Sequence, residues 1–400
     1  MPKRKYPKGT KQVAQRILRA AQKGEKVIIF GDADLDGIAS VVVLQELFEL
    51  LNPLYSQNKN IKVYFPDREE EGHGISKEML NSFKKEVPAL FFAVDCGIAN
   101  IKEIKLAKKI GFETIIIDHH PPLEKVAEPD LLVDPKQKGE TYPFTDFAAV
   151  GLVYKVAECV LEETSHPEYA KEKLLELTAL ATLSDQMPLK EDNRELVDKG
   201  MNALLTTQRP GLLALIELGD VDLQTDIDIF QKIIAPLNSA KLKNNIAESY
   251  LLLIEDSPKK AKILAQRLIR QNKEKKALIQ QTLAELIQKI EREKKESLII
   301  FEISDYWPAP ALGVIASKLL HIYKKPVFVF KRGEQESVCS ARLPYDLDGV
   351  DALIKCKKLL KTYGGHAPAC GCRVENKNLS KFEKCLEAYF KKQIKQENNG

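Results

Sequence analysis

Four short apolar runs in the first third of this 400-residue chain each end in an acid, and that pattern restricts the folds open to it. Val27-Ile28-Ile29-Phe30 leads into Gly31-Asp32-Ala33-Asp34-Leu35-Asp36-Gly37, and Leu90-Phe91-Phe92-Ala93-Val94 into Asp95-Cys96-Gly97. Thr114-Ile115-Ile116-Ile117 leads into Asp118-His119-His120, and Leu131-Leu132-Val133 into Asp134. Helical patterns at 38–51, 76–86 and 101–110 separate the runs, which is the signature of βαβ units and a parallel sheet with helices on both faces. The C-terminal edge of such a sheet is where ligands bind. Acids brought side by side there point to a metal site.

Four hundred residues exceed one ordinary core, so two or three domains are expected. The net charge of +4 is a small difference between 61 basic and 57 acidic residues, and it neither demands nor excludes a polyanionic partner. The seven cysteines include no CxxC pair, which argues against a zinc ribbon and a secreted disulfide framework. All seven are expected as reduced core residues, with Cys370-Gly-Cys372 packing along one face of a strand. The basic N-terminus, Met1 to Lys11, is followed by no long apolar stretch, so neither a signal peptide nor a membrane anchor is expected. The cytoplasm is the expected compartment.

An N-terminal extension with a first helix is read at 1–23, and a first domain at 24–256, with its sheet at 26–135 and a mostly helical part at 147–256. Ser257-Pro258 is a helix start, serine as N-cap and proline at the first helical position. No Gly or Pro follows until Pro308, so 257–297 reads as a helix roughly 55–60 Å long that spaces two domains. A second α/β domain is expected at 298–390, with strands near 298–303, 327–330, 337–342 and 369–374 and helices at 311–323 and 350–360. A polar tail is expected at 391–400.

Gly31 and Gly37 bracket Asp32, Asp34 and Asp36, so these acids fall in a loop between strand and helix, which lets several carboxylates converge. Holding them ionised together costs several kcal/mol unless a cation offsets it, roughly the scale of buried charge. The plainer alternative is an acidic surface turn with an aspartate N-cap. In Asp118-His119-His120-Pro121-Pro122 the adjacent imidazoles point in different directions, so one suits a metal and the other a substrate, while Asp118 orients a ring. Asp185 follows the apolar helical stretch 174–183. Carboxylates with one or two imidazoles and no thiolate suit Mn²⁺ or Mg²⁺ better than Zn²⁺. In the second domain, Ser340-Ala341-Arg342 at a strand end and a Gly364-Gly365-His366 turn together resemble a phosphate cradle.

In order and spacing these motifs resemble the DHH phosphoesterases and, within them, the RecJ-like single-strand exonucleases, over nearly the whole chain from about Val27 to Cys372. Residues 31–37 stand as motif one, Val94-Asp95-Cys96-Gly97 as motif two, Asp118-His119-His120 as motif three and Ser184-Asp185 as motif four. Pro66-Asp67-Arg68 with Glu71-Gly72-His73-Gly74, Asp192-Asn193-Arg194, Pro236-Leu237-Asn238 and Gly313-Val314-Ile315-Ala316-Ser317 extend the match. The resemblance implies a parallel-sheet DHH domain joined by a long helix to a smaller α/β DHH-associated domain, with the active site in the cleft between them. It implies two divalent ions, Mn²⁺ or Mg²⁺: one held by Asp34 and Asp95 with Asp32, the other by Asp36, Asp95, His119 and Asp185. His120 is then the group beside the scissile phosphate. Arg68, Ser340 and Arg342 match positions that grip a 5′ phosphate, and Gly364, Gly365 and His366 match a phosphate-binding turn.

Two departures stand out. Leu237-Asn238-Ser239-Ala240 runs into Lys241 where the family carries Gly-Arg, so a bidentate phosphate contact is reduced to a point charge. The oligonucleotide-binding barrel of full-length bacterial relatives is not matched, so the grip on a long strand is expected to be weaker or supplied by a replication or repair partner. The expected activity is 5′-to-3′ hydrolysis of single-stranded DNA, in repair or recombination. The alternatives are a phosphodiesterase for short oligoribonucleotides or cyclic dinucleotides, and a silent replication scaffold. Motif one in its aspartate form, with Phe30 where the small-substrate branch carries histidine, favours the exonuclease. The complete ligand set disfavours the scaffold.

Overall fold

The apolar runs become β1 Val27–Gly31, β3 Ala89–Val94, β4 Phe112–Ile117 and β5 Leu131–Val133, joined by β2 Ile61–Tyr64 in one five-stranded sheet. All pairings are parallel and the order is β2-β1-β3-β4-β5. β1 and β3 are buried along their whole length, which is why they read as unbroken apolar runs. β2 lies at the sheet edge with Lys62 exposed, so it lacks that signal. From β1 the chain crosses to one side of the sheet and from β3 to the other, which makes the C-terminal ends of these neighbours the topological switch point.

The computed structural model describes residues 5–56, 60–68, 71–72, 74–122, 125–164, 168–293 and 297–397, with backbone alone at 168, 310 and 394–397. His73 of the sequence motif and the end of the expected tail lie outside the described residues. The chain divides into two units, 1–272 and 273–400.

In the first unit the helix Leu35–Leu51 is buried on every side from Leu35 to Phe48, as expected of a helix apolar all round. It packs against the helices Ala149–Glu163 and Glu168–Ser184. The helix expected over 76–86 ends at Ser82 and continues as a short 3-10 turn, Lys84–Glu86. Within the helical part a small hairpin forms, β6 Leu242–Lys243 and β7 Ile246–Ala247, turning on Asn244 and Asn245, both at positive φ. The long helix runs Pro258–Glu293, 36 residues.

The second unit holds β8 Ile300–Ser304, β9 Val327–Arg332, β10 Glu336–Arg342, β11 Leu360–His366 and β12 Ala369–Glu375, in the order β11-β12-β10-β9-β8. β8 pairs parallel with β9 and the other pairings are antiparallel. β10 and β12 alternate buried and partly exposed residues, one face on the core and one open.

Three expectations are corrected here. Gly364-Gly365-His366 is not a turn: it is the end of edge strand β11, and the chain turns at Ala367-Pro368. Cys356 and Cys385 are joined in a disulfide, because the end of the helix Gly349–Lys355 meets the helix Leu379–Glu397 with Cα atoms 6.1 Å apart. The other five cysteines are free thiols and buried. The C-terminal segment is helical through Glu397, where a polar tail was expected from 391. No helix among the described residues is long and apolar enough to cross a membrane.

Candidate metal centre and phosphate cradle

The loop after β1 is compressed by one glycine. A Cβ on Gly37 would stand 2.3 Å from the Asp32 carbonyl oxygen, so only glycine lets the helix start this close to the strand. Asp34 caps that helix, accepting from the Gly37 N–H at 3.2 Å. The Arg68 guanidinium spans both flanking acids, with Nε 2.8 Å from Asp32 Oδ1 and Nη2 2.9 Å from Asp34 Oδ2. Burial works to raise the Asp34 pKa, but the Arg68 charge and the Gly37 N–H prevail and hold it below the usual range. Asp36 points the other way and is buried, its two oxygens accepting from the Ala149 and Val150 N–H groups at 2.8 and 2.9 Å, at the start of the helix Ala149–Glu163.

Asp95 and Asp118 each stand one residue past a strand. The Asp95 N–H donates to the Ile117 carbonyl and the Asp118 N–H to that of Val133, both at 3.0 Å, so the sheet ladder fixes both backbones. Asp95 adopts φ 60°, a left-handed conformation that aspartate tolerates better than most residues. Asp118 spends its carboxylate on the chain around it, accepting from the N–H groups of Ile98 (3.0 Å), His119 (2.8 Å) and His120 (3.1 Å) and holding His120 Nδ1 at 2.8 Å. It orients His120 and is not among the clustered acids. The hydrogen bond to Asp118 raises the His120 pKa, against its burial, so that ring favours a charge. Its side chain is about half exposed.

His119 turns inward. Its Nε2 lies 3.3 Å from Asp95 Oδ1, 3.8 Å from Asp185 Oδ2 and 3.9 Å from Asp36 Oδ2. Burial, then the charge on His120, pushes its pKa down to about 4, so the ring is neutral and carries a lone pair at neutral pH. Three interlocking donor groups result: Asp36 with His119 and Asp185, Asp95 with His119 and His120, and Asp32 with Asp34 and Asp95, each set within 4.8 Å. The acids load one another. Burial, then Asp185 and Asp34, lifts Asp36 well above the carboxylate range; burial, then Asp36, Asp34 and Asp32, does the same to Asp95. Burial, then Asp34, raises Asp185 to about 6, and its buried Oδ2 has no hydrogen-bond partner. An orphaned carboxylate oxygen among mutually repelling acids and a neutral imidazole is a donor set that fits a divalent cation.

One neighbour escaped the sequence reading. Lys136 Nζ donates to the His119 carbonyl at 2.5 Å and pins that backbone; only its place two residues past a strand-end acid hinted at it. Asn238 accepts from the Leu35 N–H at 2.9 Å and reaches Ser184 Oγ at 2.6 Å, tying motif one to the end of the helix before Asp185. Lys241 is exposed, and among the described residues no hydrogen bond or ion pair ties its side chain to the acids. Asp134 is buried, its Oδ1 accepting from the Lys136 N–H while Oδ2 is unpaired, and burial raises its pKa to about 6. Because the folded pKa is raised, its favourable contribution is complete below about pH 4 and is lost as pH rises through 6. Asp134→Asn is therefore expected to stabilise the fold by on the order of 2 kcal/mol at pH 7.5 and by nothing at pH 4, read as a Tm difference at each pH. An equal gain at both values would show that charge is not the cause.

In the second unit, register builds a shallow trough. Across β10, β12 and β11, Ser340 lies opposite Gly371 and Gly371 opposite Gly364; Arg342 lies opposite Ala369 and Ala369 opposite His366. Directly paired residues share a face. Ser340 and Arg342 thus stand on one side, His366 on the other, and small residues floor the space between. Arg342 Nη1 donates to the Ala341 carbonyl at 2.9 Å and lies 3.3 Å from Ser340 Oγ. Gly313, beginning the helix Leu312–Tyr323, is so close that a Cβ there would meet Arg342 Nη2 at 3.1 Å. A fixed guanidinium, a hydroxyl and an imidazole around a bare floor suit an oxyanion such as phosphate.

Known proteins resemble this chain in sequence and fold. The N-terminal domain of the DHH family matches residues 26–182, and the DHHA1 domain matches 295–392. The single-stranded-DNA-specific exonuclease RecJ of Bacillus subtilis (strain 168) is 32% identical over 91% of this chain and 45% of its own length; that of Thermus thermophilus is 27% identical over 96% and 54%. The chain spans about half the length of these curated relatives. Among solved structures, an exonuclease RecJ bound to manganese superposes with a TM-score of 0.80 at 26% identity, covering 96% of this chain and 94% of that one.

Proposed function

The chain belongs to the DHH family, and from that premise we propose that it is a metal-dependent phosphodiesterase of the RecJ type, releasing mononucleotides from single-stranded DNA in the 5′-to-3′ direction. The observation that carries the reading is the convergence of Asp32, Asp34, Asp36, Asp95, Asp185 and His119 at the switch point of a parallel sheet. Residues 24–256 are the catalytic domain, 298–390 the substrate-binding domain and 257–297 the connection.

Two divalent cations, Mn²⁺ or Mg²⁺, would when bound supply polarisation of the phosphodiester and a nucleophile at neutral pH. Asp34 and Asp95, with Asp32, would hold one; Asp36, Asp95, His119 and Asp185 would hold the other. His119 presents Nε2 because burial keeps it neutral. His120, aimed by Asp118 and with its pKa raised by that hydrogen bond, faces the negative charge of the scissile phosphate. Arg68, Ser340, Arg342 and His366 bind phosphates of the strand. Strands of this kind arise in DNA repair and recombination, where the activity would be used.

With Mn²⁺, the purified protein is expected to shorten a long 5′-phosphorylated DNA strand faster than the matching RNA or a pentanucleotide. Cleavage confined to the pentanucleotide or to a cyclic dinucleotide would end the exonuclease reading. Arg342→Ala is expected to weaken strand binding by about 10-fold or more, the scale of a charged hydrogen bond, with Mn²⁺ affinity unchanged. Loss of Mn²⁺ binding in that variant would tell against a phosphate role.

A further inference from the structure

Tyr345 leaves its ring 97% exposed. An exposed aromatic side chain is a large rigid apolar surface held in water, and it acquires a purpose when a flat partner covers it. The backbone beneath this ring is fixed. The Leu347 N–H donates to the Pro344 carbonyl at 3.0 Å and closes a turn with Tyr345 in its second position. The Leu343 N–H donates to the Pro368 carbonyl at 3.0 Å and the Gly349 N–H to that of Ala367 at 2.8 Å. These two bonds stitch the loop onto the bend between β11 and β12, and Leu343 is buried as its anchor. Asp348 then caps the next helix, accepting from the Val350 and Asp351 N–H groups at 2.8 and 3.0 Å.

This places the backbone of the tyrosine beside the strand ends that bound the trough. It stands three positions past Arg342, a reach of at most about 11 Å, and the bend that its loop is stitched to follows directly on His366. Chains that hold single strands without reading sequence combine phosphate contacts with aromatic faces on which bases stack. The trough supplies the first element and Tyr345 the second.

We propose that Tyr345 is a stacking platform for an unpaired nucleobase, one or two nucleotides from the phosphate held by Ser340, Arg342 and His366. The inference rests on the strand-binding reading above and adds the base as a recognised group. The platform selects single strands over duplex, since a paired and stacked base cannot lie on it, and it is indifferent to base identity.

The test uses the full chain in an Asp95→Asn background, so that no strand is consumed, with fluorescence anisotropy on a 5′-phosphorylated thymidine 12-mer and on the same strand with its first three nucleotides abasic. Tyr345→Ala is expected to lower affinity for the normal strand about 10-fold, within the range of one stacked base, while Tyr345→Trp retains it. On the abasic strand the alanine variant and its parent are expected to bind alike. Equal affinity of variant and parent for the normal strand would overturn the platform. So would an equal loss on both strands, which would mark a structural role. Should the parent bind neither strand, the strand-binding reading falls and the platform with it.

Discussion

Asp95→Asn is expected to lower turnover by at least about 10²–10³-fold, the loss that follows removal of one well-placed electrostatic group, with the fold melting no earlier than the wild type. Asp95 is shared by two of the three donor sets, so its carboxylate would serve both proposed cations. Asparagine keeps its size, tolerates φ 60° and loses the charge. Without divalent cations that charge opposes folding at neutral pH: burial, then Asp36, Asp34 and Asp32, pushes the carboxyl pKa well up. Its favourable contribution is complete only below the unfolded pKa, so the neutral variant is expected to be equal or higher in Tm at pH 7.5. Added Mn²⁺ should raise the wild-type Tm by mass action and the variant's by much less. Melting curves with and without Mn²⁺ beside a strand-shortening assay decide it. Turnover at the wild-type rate would remove Asp95 from the centre, and a collapsed fold would make it structural.

Legibility of this molecule in its sequence followed burial. β1, β3 and β4 announced themselves because both faces of a parallel sheet are covered, so each reads as an apolar run with its acid at the end. β2 did not, because an edge strand carries Lys62 to solvent. The acids and His119 were legible because chemistry limits which residues stand at strand ends; the division of labour between the two histidines came from resemblance and from the geometry of Asp118. Contacts across long sequence separations were invisible. Neither the pairing of Cys356 with Cys385 nor the hold of Asn238 on Leu35 has a local signature, since only the folded chain brings these pairs together. Gly364-Gly365 misled because two glycines read as a turn, whereas in β11 they keep an edge strand bare beside a trough.

Arg209→Ala is expected to destabilise the first unit by about 3–5 kcal/mol, the cost of breaking a buried ion network by removing one partner. Arg209 is 4% exposed. Its Nε donates to Glu176 Oε1 at 2.8 Å, its two Nη groups to Glu46 at 2.8 and 3.0 Å, and further bonds reach the carbonyls of Leu253 and Lys173. Burial works to raise the Glu46 pKa, and the Arg209 charge nonetheless holds it below the usual value, so that carboxylate is ionised inside the unit. Alanine would leave Glu46 with only Lys173, 3.0 Å away, and would strip Glu176 of its cation. Glu46 belongs to the same helix as Asp36, ten residues on, or about 15 Å along the axis. The network therefore clamps the far end of the helix whose first turn delivers Asp36 to the donor cluster, and a helix free to shift there would loosen that cluster. Two measurements separate the links: denaturant melting reads the stability, and Mn²⁺ affinity below the melting range reads the ligand geometry. Replacing Glu46, Arg209 and Glu176 together by apolar residues of similar volume should recover most of the stability, because the cost lies in charges left unpaired. If the single variant melts like the wild type, the network is not what holds the helix.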